Sequence, residues 1–179
     1  MAQQADHAVL VGQLLGEVGT VDASGEIRFV VAIRQGYEVR EFDAGDAAVL
    51  ERHRSPQAME GDRVEALVDR GALFRFSEGS SLTTRGLRAL ATGDAIGFDD
   101  QKLGFRLRGA GGQETLVSEA VYWCWVYAST AASVEQLTEI AAALLPDVDA
   151  ASIRADLEAA LPRLLLTRCL TLDRQLESE

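Results

Sequence analysis

The chain has 179 residues, 47% of them hydrophobic and 25% charged, which is the composition of a globular protein with one ordinary domain or two small ones. Its net charge is −11, from 28 acidic residues against 17 Lys and Arg, so the average surface repels the phosphates of a nucleic acid. No run reaches the roughly 20 apolar residues of a membrane-spanning helix, and the polar start Met1–His7 has no signal-peptide pattern, so we expect a cytoplasmic protein.

The first half of the sequence predicts strands followed by short helices. Residues 8–18 favour a strand over a short helix, and Ile27–Ile33 is a β-branched, apolar run typical of a buried strand. A glycine turn leads into Tyr37–Phe42, where apolar and polar residues alternate, so one face is predicted to lie on a core. The elements predicted to complete this half are capped helices at 47–54 and 61–70 and a strand at 72–76.

The second half predicts a small sheet followed by three helices. Ser77–Ser81 is polar and contains glycine, which makes it the best linker candidate, and a short helix is predicted at 82–90. The strands predicted next are 95–98, 103–107 and 114–117, and the helices are Glu119–Ala128, Val134–Leu145 and Ser152–Leu166, before a closing apolar run at 164–172. A strand, three helices and a closing strand form the outline of a winged helix-turn-helix.

The two halves show the same order of signals at an offset of about 75 residues. Phe29 and the strand that ends at Phe42 correspond to Phe105 and the strand that ends at Val117, and the second half has one more helix, at 134–145. The sequence therefore predicts an α+β protein of two tandem winged helix-turn-helix-like units, the first abbreviated. The predicted divisions are an abbreviated unit at 8–76, a linker with a short helix at 77–94, and a winged-helix unit at 95–172.

Groups suited to catalysis are sparse. The chain has two histidines, and His53, between two arginines, is expected at the surface. Gly109–Gly112 does not match a phosphate-binding pattern, and no residues have the spacing of metal ligands. Cys124 and Cys169 lie in apolar runs and predict buried, reduced thiols. We therefore expect neither an enzyme, nor a metal site, nor a cofactor.

Two features suggest binding instead. Trp123 and Trp125 lie two residues apart and cannot share a helix face, so one is expected in the core. The other would seal the interface between the halves, which is the simpler interpretation, or dock a partner. A small sheet beside a helix also leaves an open edge to which a peptide can add a strand. The candidate peptide-binding residues on this edge and the last helix are Glu114, Thr115, Leu116, Val117, Arg154, Leu157, Glu158 and Leu161. For Leu157 and Leu161, ordinary core packing is the favoured alternative.

The run Glu114–Ala120, the following apolar helix, the segment Ser133–Leu144 and the helix Ile153–Leu166 resemble PqqD-like recognition domains. In that family a hairpin leads to a capped apolar helix, a "TVxEI" type second helix and a long third helix that ends in an apolar strand. The resemblance, clearest over residues 95–172, implies that the leader segment of a ribosomally made precursor peptide binds as an added strand against the third strand and third helix. The tandem arrangement is similar to the non-catalytic N-terminal region of SagB-type thiazole-forming dehydrogenases.

The leading prediction is a non-catalytic peptide-binding or adaptor protein, which recognises a precursor (leader) peptide or docks on a peptide-modifying enzyme of natural-product biosynthesis. Two alternatives stay open. The first is a winged-helix DNA-binding regulator, which the net charge opposes and which a set of arginines favours, namely Arg106, Arg108, Arg154, Arg163 and Arg168. The second is a structural subunit of an enzyme complex that has no peptide site.

Overall fold

The protein is α+β, as the sequence predicts. The structure is a computed structural model that describes residues 5–77, 82 and 84–176. It divides into two compact units, unit 1 (Met1–Arg75) and unit 2 (Phe76–Glu179). Among the described residues no helix is long and apolar enough to cross a membrane.

Unit 1 is built on a three-stranded antiparallel meander and a smaller sheet. Its strands are β1 (Asp6–Leu10), β2 (Gln13–Val21), β3 (Ile27–Gln35), β4 (Glu38–Asp43), β5 (Gln57–Ala58) and β6 (Leu73–Ser77), the last of which crosses the division between the units. Its helices are a 3-10 turn (Ala44–Asp46), α1 (Ala47–Arg52) and α2 (Asp62–Asp69). The strand order is β2-β3-β4 in the meander and β5-β1-β6 in the smaller sheet.

The core of unit 1 lies against one face of β3 and β4. Val31 is paired with Phe42, and both are buried together with Leu50 and Leu67. This register places Val39 on the opposite face of β4 from Phe42, where it is 59% exposed. The prediction that the apolar positions from Tyr37 to Val39 lie on the core is therefore wrong, and Phe42 occupies the core instead.

Unit 2 contains the long helices. Its strands are β7 (Leu87–Ala91), β8 (Asp94–Asp99), β9 (Gly104–Arg108), β10 (Glu114–Val117) and β11 (Leu170–Arg174), and its helices are α3 (Glu119–Tyr127), α4 (Val134–Leu144) and α5 (Ala150–Leu166). An antiparallel meander has the order β10-β9-β8, and β7 pairs with β11. The three helices pack on one another, and α5 also contacts β10 and β11.

The predicted short helix at 82–90 is wrong, because Leu87–Ala91 forms β7. Leu87 and Ala89 are buried, as expected for alternate residues of a strand, and the whole segment pairs in register with β11. The predicted linker Ser77–Ser81 lies, apart from Ser77, outside the described residues.

Each helix of unit 2 begins at a side chain that accepts a hydrogen bond from the backbone N–H three residues later. These caps are Ser118 for α3 (3.3 Å), Ser133 for α4 (3.2 Å) and Asp149 for α5 (3.0 Å). Hydrogen bonds from the side chain and backbone of Ser152 lower the pKa of the Asp149 carboxyl. Caps of this kind explain why the sequence predicts the starts of α3 and α4 correctly.

A buried ion pair fastens the two-stranded sheet. Arg88 and Asp173 are directly opposite each other on β7 and β11, and Nη2 of Arg88 lies 2.9 Å from a carboxylate oxygen of Asp173. The two side chains are 12% and 1% exposed, so neither charge is well hydrated. Removing one member of a buried pair leaves the other charge uncompensated.

We expect Asp173→Asn to lower the free energy of unfolding by about 3 kcal/mol, because the Arg88 guanidinium would stay charged in a buried position. Urea denaturation followed by circular dichroism measures the change. As the matched control, Arg54→Ala breaks the pair with Glu51, whose side chains are both 60% exposed. This control should change stability by less than about 1 kcal/mol. Equal losses in the two variants would contradict the role assigned to burial.

Candidate functional site

Strand β10 is attached to α5 at the start of its hairpin. The backbone N–H of Ala110 donates to the carbonyl of Arg168, the second residue after α5, at 3.2 Å. Gly109 lies so close to this turn that a Cβ atom at residue 109 would fall 1.7 Å from the carbonyl oxygen of Thr167. Only glycine allows this approach, so the hairpin turn is seated directly on the end of the helix.

A second attachment lies at the other end of β10. The hydroxyl of Ser118 donates to the carboxylate of Asp156 at 3.5 Å. From Ser118 back to Gln113 an extended chain covers about 16 Å, and from Asp156 to Thr167 a helix rises by the same amount. The strand therefore runs antiparallel to α5 and beside it over this length.

The stripe of α5 that borders β10 follows from helical periodicity. Asp156, Ala160, Arg163 and Thr167 are spaced by four, three and four residues and so share one side of the helix. The first and last of them are the two attachment points. Asp156 and Arg163 are exposed and Ala160 is half-buried. We call the region between this stripe and the free edge of Glu114–Val117 the β10–α5 seam.

The free edge of β10 presents unpaired backbone groups. The N–H of Gly109 donates to the carbonyl of Gln113 at 2.9 Å, which makes residues 109 and 113 a hydrogen-bonded pair. Such pairs alternate along an antiparallel ladder, so Thr115 and Val117 exchange bonds with β9. The N–H and C=O groups of Glu114 and Leu116 therefore point to the opposite side, where no described strand pairs with β10.

Thr115 adds an unsatisfied hydroxyl to the strand. Its side chain lies on the same face as the buried Val117, the residue is 5% exposed, and its Oγ1 atom has no hydrogen-bond partner among the described residues. A buried polar atom without a partner is destabilising by about 1–3 kcal/mol, and a ligand that bonds to it recovers that free energy.

No protein-family model, curated protein or solved structure matches this chain significantly.

The residues of α5 that the sequence predicted for the site lie elsewhere on the helix. Leu157 and Leu161 are each 1% exposed and belong to the core, as the alternative interpretation held. Arg154 binds Glu135 of α4 at 3.2 Å and Glu158 at 3.1 Å, and Glu158 accepts a hydrogen bond from Thr84.

Arg154 and Glu158 are each two residues from Asp156, which places them about 200° around the helix from it. They border the core on the α4 side, whereas Asp156 borders it on the β10 side. Asp156, Ala160 and Arg163 are the seam residues that the sequence interpretation missed. The sequence does contain a signal for them, because Asp156, Ala160 and Arg163 have the i, i+4, i+7 spacing of one helix face, next to the buried stripe of α5.

On the outer face of the sheet, Glu114 is paired rather than free. Its carboxylate lies 2.9 Å from Arg108 and 3.7 Å from Arg106, and all three side chains are close to half exposed. Leu116 is half-buried on this same face, above Gly104, where a Cβ atom would lie 3.1 Å from the Leu116 side chain. Glu114 is thus held by its ion pairs with two arginines, and Leu116 is held by packing on Gly104.

The aromatic residues of α3 form a half-buried cluster with the sheet. Tyr122 stacks on Phe105 of β9 with ring centroids 4.1 Å apart, and Trp123 lies edge-on to Tyr122. The indole N–H of Trp125 donates to the carbonyl of Cys169 at 2.8 Å. The expectation that one tryptophan enters the core is wrong, because Trp123 and Trp125 are both half-buried.

Among the described residues no three His, Cys, Asp or Glu side chains are close enough to hold a metal ion. In unit 1, His53 is 1% exposed rather than at the surface as predicted. At the end of α1 its Nδ1 atom lies 2.7 Å from the carbonyl of Val49, whereas its Nε2 atom is buried without a hydrogen-bond partner among the described residues.

Both cysteines are buried, as predicted, and burial keeps their thiols in the unreactive protonated form. Burial, reinforced by the negative charge of Asp156, raises the pKa of the Cys124 thiol from its ordinary 9.0 to about 12. Burial also raises the pKa of Cys169, although a hydrogen bond from Thr167 opposes this effect. Both thiols are therefore protonated at neutral pH and poor nucleophiles.

The pKa of Cys124 is higher in the folded chain than in the unfolded chain, so the unfolded chain loses the thiol proton first as the pH rises. The buried neutral thiol therefore does not reduce the free energy of unfolding below pH 9, and this free energy falls as the pH rises from 9 towards 12. We expect the free energy of unfolding to fall between pH 9.5 and 10.5 with an added slope of up to about 1.4 kcal/mol per pH unit. Denaturation across this range should show a smaller slope for Cys124→Ala, which removes the ionisable group. Identical slopes would contradict the assigned pKa.

Proposed function

We propose that this chain is a non-catalytic peptide-binding protein that accepts an extended segment of a partner as an added strand at the β10–α5 seam. The observation that carries this proposal is the free edge of β10, where the backbone groups of Glu114 and Leu116 point outward beside α5. Main-chain hydrogen bonds at such an edge supply affinity, and the side chains along the seam supply specificity.

Two of the other edges of the two meanders, those of β2 and β8, are less suited to strand addition. Strand β2 has a register shift between Leu14 and Gly16, and β8 has one between Ala95 and Gly97. Bulges of this kind twist an edge away and protect it against pairing. Strand β10 pairs with β9 without any shift. This regularity favours β10 over β2 and β8, and it is shared by β4 of unit 1.

In unit 1, side-chain contacts hold α2 at the end of β4. Asp46 is buried and binds Arg63 of α2 at 3.0 Å and Arg70, which directly follows α2, at 3.5 Å. The guanidinium of Arg70 also lies over the ring of Phe42, with Cζ 4.4 Å from the centroid. These contacts fasten α2 against the end of β4, so we expect one peptide site per chain.

The element order of unit 2 supports a more specific function. A meander, three helices and a closing strand in unit 2 have the element order of a winged helix, and a strand bound between the third strand and third helix is what the resemblance to PqqD-like domains implies. We therefore propose that unit 2 is a winged helix-turn-helix, and that unit 1 is its abbreviated copy, with β5 where unit 2 has α4. The peptide would be the leader segment of a precursor, and a peptide-modifying enzyme would be the second partner.

A DNA-binding function is less well supported. Arg106 and Arg108 are engaged by Glu114, and Arg154 is held between Glu135 and Glu158. Arginines that already have carboxylate partners contribute little to phosphate binding, and the net charge of the chain is −11.

We expect Leu116→Pro to abolish peptide binding, because proline removes the outward N–H of the edge without removing a bond to β9. The matched control is Leu116→Ala, which keeps the N–H and should retain binding within about fivefold. The probes are synthetic peptides tiled across the short reading frames that neighbour the gene, and fluorescence anisotropy measures their affinity.

Thermal unfolding of the three proteins checks that the proline variant still folds. Binding that survives Leu116→Pro in a folded protein would move the site away from β10. If no tiled peptide binds while a DNA probe is retarded at moderate salt, the regulator is the better interpretation.

If the contacts of Asp46 in unit 1 exclude a second peptide, calorimetric titration of a binding peptide should give a stoichiometry near one per chain. Asp46→Asn should not alter this value, since the Arg70 side chain would still cover Phe42. A stoichiometry of two that falls to one with Leu116→Pro would show a second working seam.

A further inference from the structure

The two ends of the β10–α5 seam carry opposite charges, and no residue that the structure describes neutralises either of them in a salt bridge. Asp156 is exposed, and its carboxylate is bonded to the hydroxyl of Ser118. Arg163 is exposed two turns further along α5. Neither side chain forms a salt bridge with any residue that the structure describes, whereas Arg154 and Glu158, on the other flank of α5, are paired.

The spacing and order of these charges are fixed by the helix. Seven residues separate Asp156 from Arg163, which is about 10 Å along the axis. Ala160 lies between them, so the middle of the stripe is small. The Asp156 end borders Ser118, after the last residue of β10, and the Arg163 end lies towards the hairpin turn at Gly109.

We infer that the seam selects its peptide by the order of two charges: a basic side chain near Asp156 and an acidic side chain near Arg163. This inference rests on the proposed function. The occupant is an extended peptide strand that pairs antiparallel to β10, the more stable pairing mode. Its chain then runs from the Asp156 end to the Arg163 end, so the basic residue precedes the acidic one.

The pleat of the added strand determines the separation of the two residues. Side chains that point towards α5 recur every second residue, at intervals of about 6.6 Å. A separation of four residues spans about 13 Å, and the length of the lysine, arginine and glutamate side chains covers the difference from 10 Å. The residue midway between them points towards α5 near Ala160, so a small side chain fits there.

The test is a selection from a phage-displayed library of random dodecapeptides on the full-length chain, with Leu116→Pro as the background. We expect the enriched sequences to carry Lys or Arg four residues before Asp or Glu, in excess over the reverse order. The most enriched peptide and its charge-exchanged copy are then synthesised, and their affinities are compared by fluorescence anisotropy. The exchange should weaken binding to the natural chain about tenfold, because two attractive contacts become repulsive.

The decisive variant exchanges the charges of the protein, as Asp156→Arg with Arg163→Asp. Asp156→Arg also removes the acceptor of the Ser118 hydroxyl, so thermal unfolding first checks that the exchanged variant folds. In the folded variant, the preference between the two peptides should reverse. Enriched peptides without this charge order, or a preference that the exchange leaves unchanged, would overturn the inference and leave the peptide-binding function standing. If no peptide is enriched above the Leu116→Pro background, both the inference and the proposed function are contradicted.

Discussion

The seating of a glycine turn on the end of α5 is the constraint on which the site depends. Gly109 approaches the backbone of Thr167 so closely that no side chain fits between them, and Ala110 bonds to the next carbonyl, that of Arg168. Arg168 itself has a φ of 58°, the left-handed conformation with which many helices end. Because this junction and the contact between Ser118 and Asp156 lie at matching distances along strand and helix, β10 is held beside α5.

The helix α5 has a different role on each flank of its buried stripe. On the α4 side, Arg154 is neutralised by Glu135 and Glu158, and Glu158 also accepts a hydrogen bond from Thr84. The ion pair between Arg154 and Glu135 joins α5 to α4. On the β10 side, the charges of Asp156 and Arg163 face solvent. Exposed charges contribute little to folding stability, and this second pair is therefore available for recognition.

Much of the fold could be predicted from local sequence signals. Capping residues and hydrophobic periodicity give α3 and α4 within one residue at each end, and alternation predicts β10 as observed. The strand β7 was predicted as a helix because its partner β11 lies some 80 residues away in sequence, and pairing over that distance leaves no local signal.

The candidate site was predicted only in part, for a related reason. The sequence identifies the edge strand and the buried residues Leu157 and Leu161, but both flanks of a buried helical stripe look alike in sequence. Only the contacts with Glu135 on one side and Ser118 on the other show which flank borders β10. Similarly, the parity that buries Phe42 rather than Val39 is set by pairing with β3 and cannot be read from alternation alone.

The glycine at residue 109 also determines which backbone groups the edge displays. In the observed register Glu114 and Leu116 point their amides outward, and Thr115 turns its hydroxyl inward. A slip of one residue would exchange these roles along the whole strand. Gly109 thus sets the pattern of outward N–H and C=O groups that an added strand would pair with. It does so over more than about 15 Å of extended chain, as far as the other end of the seam.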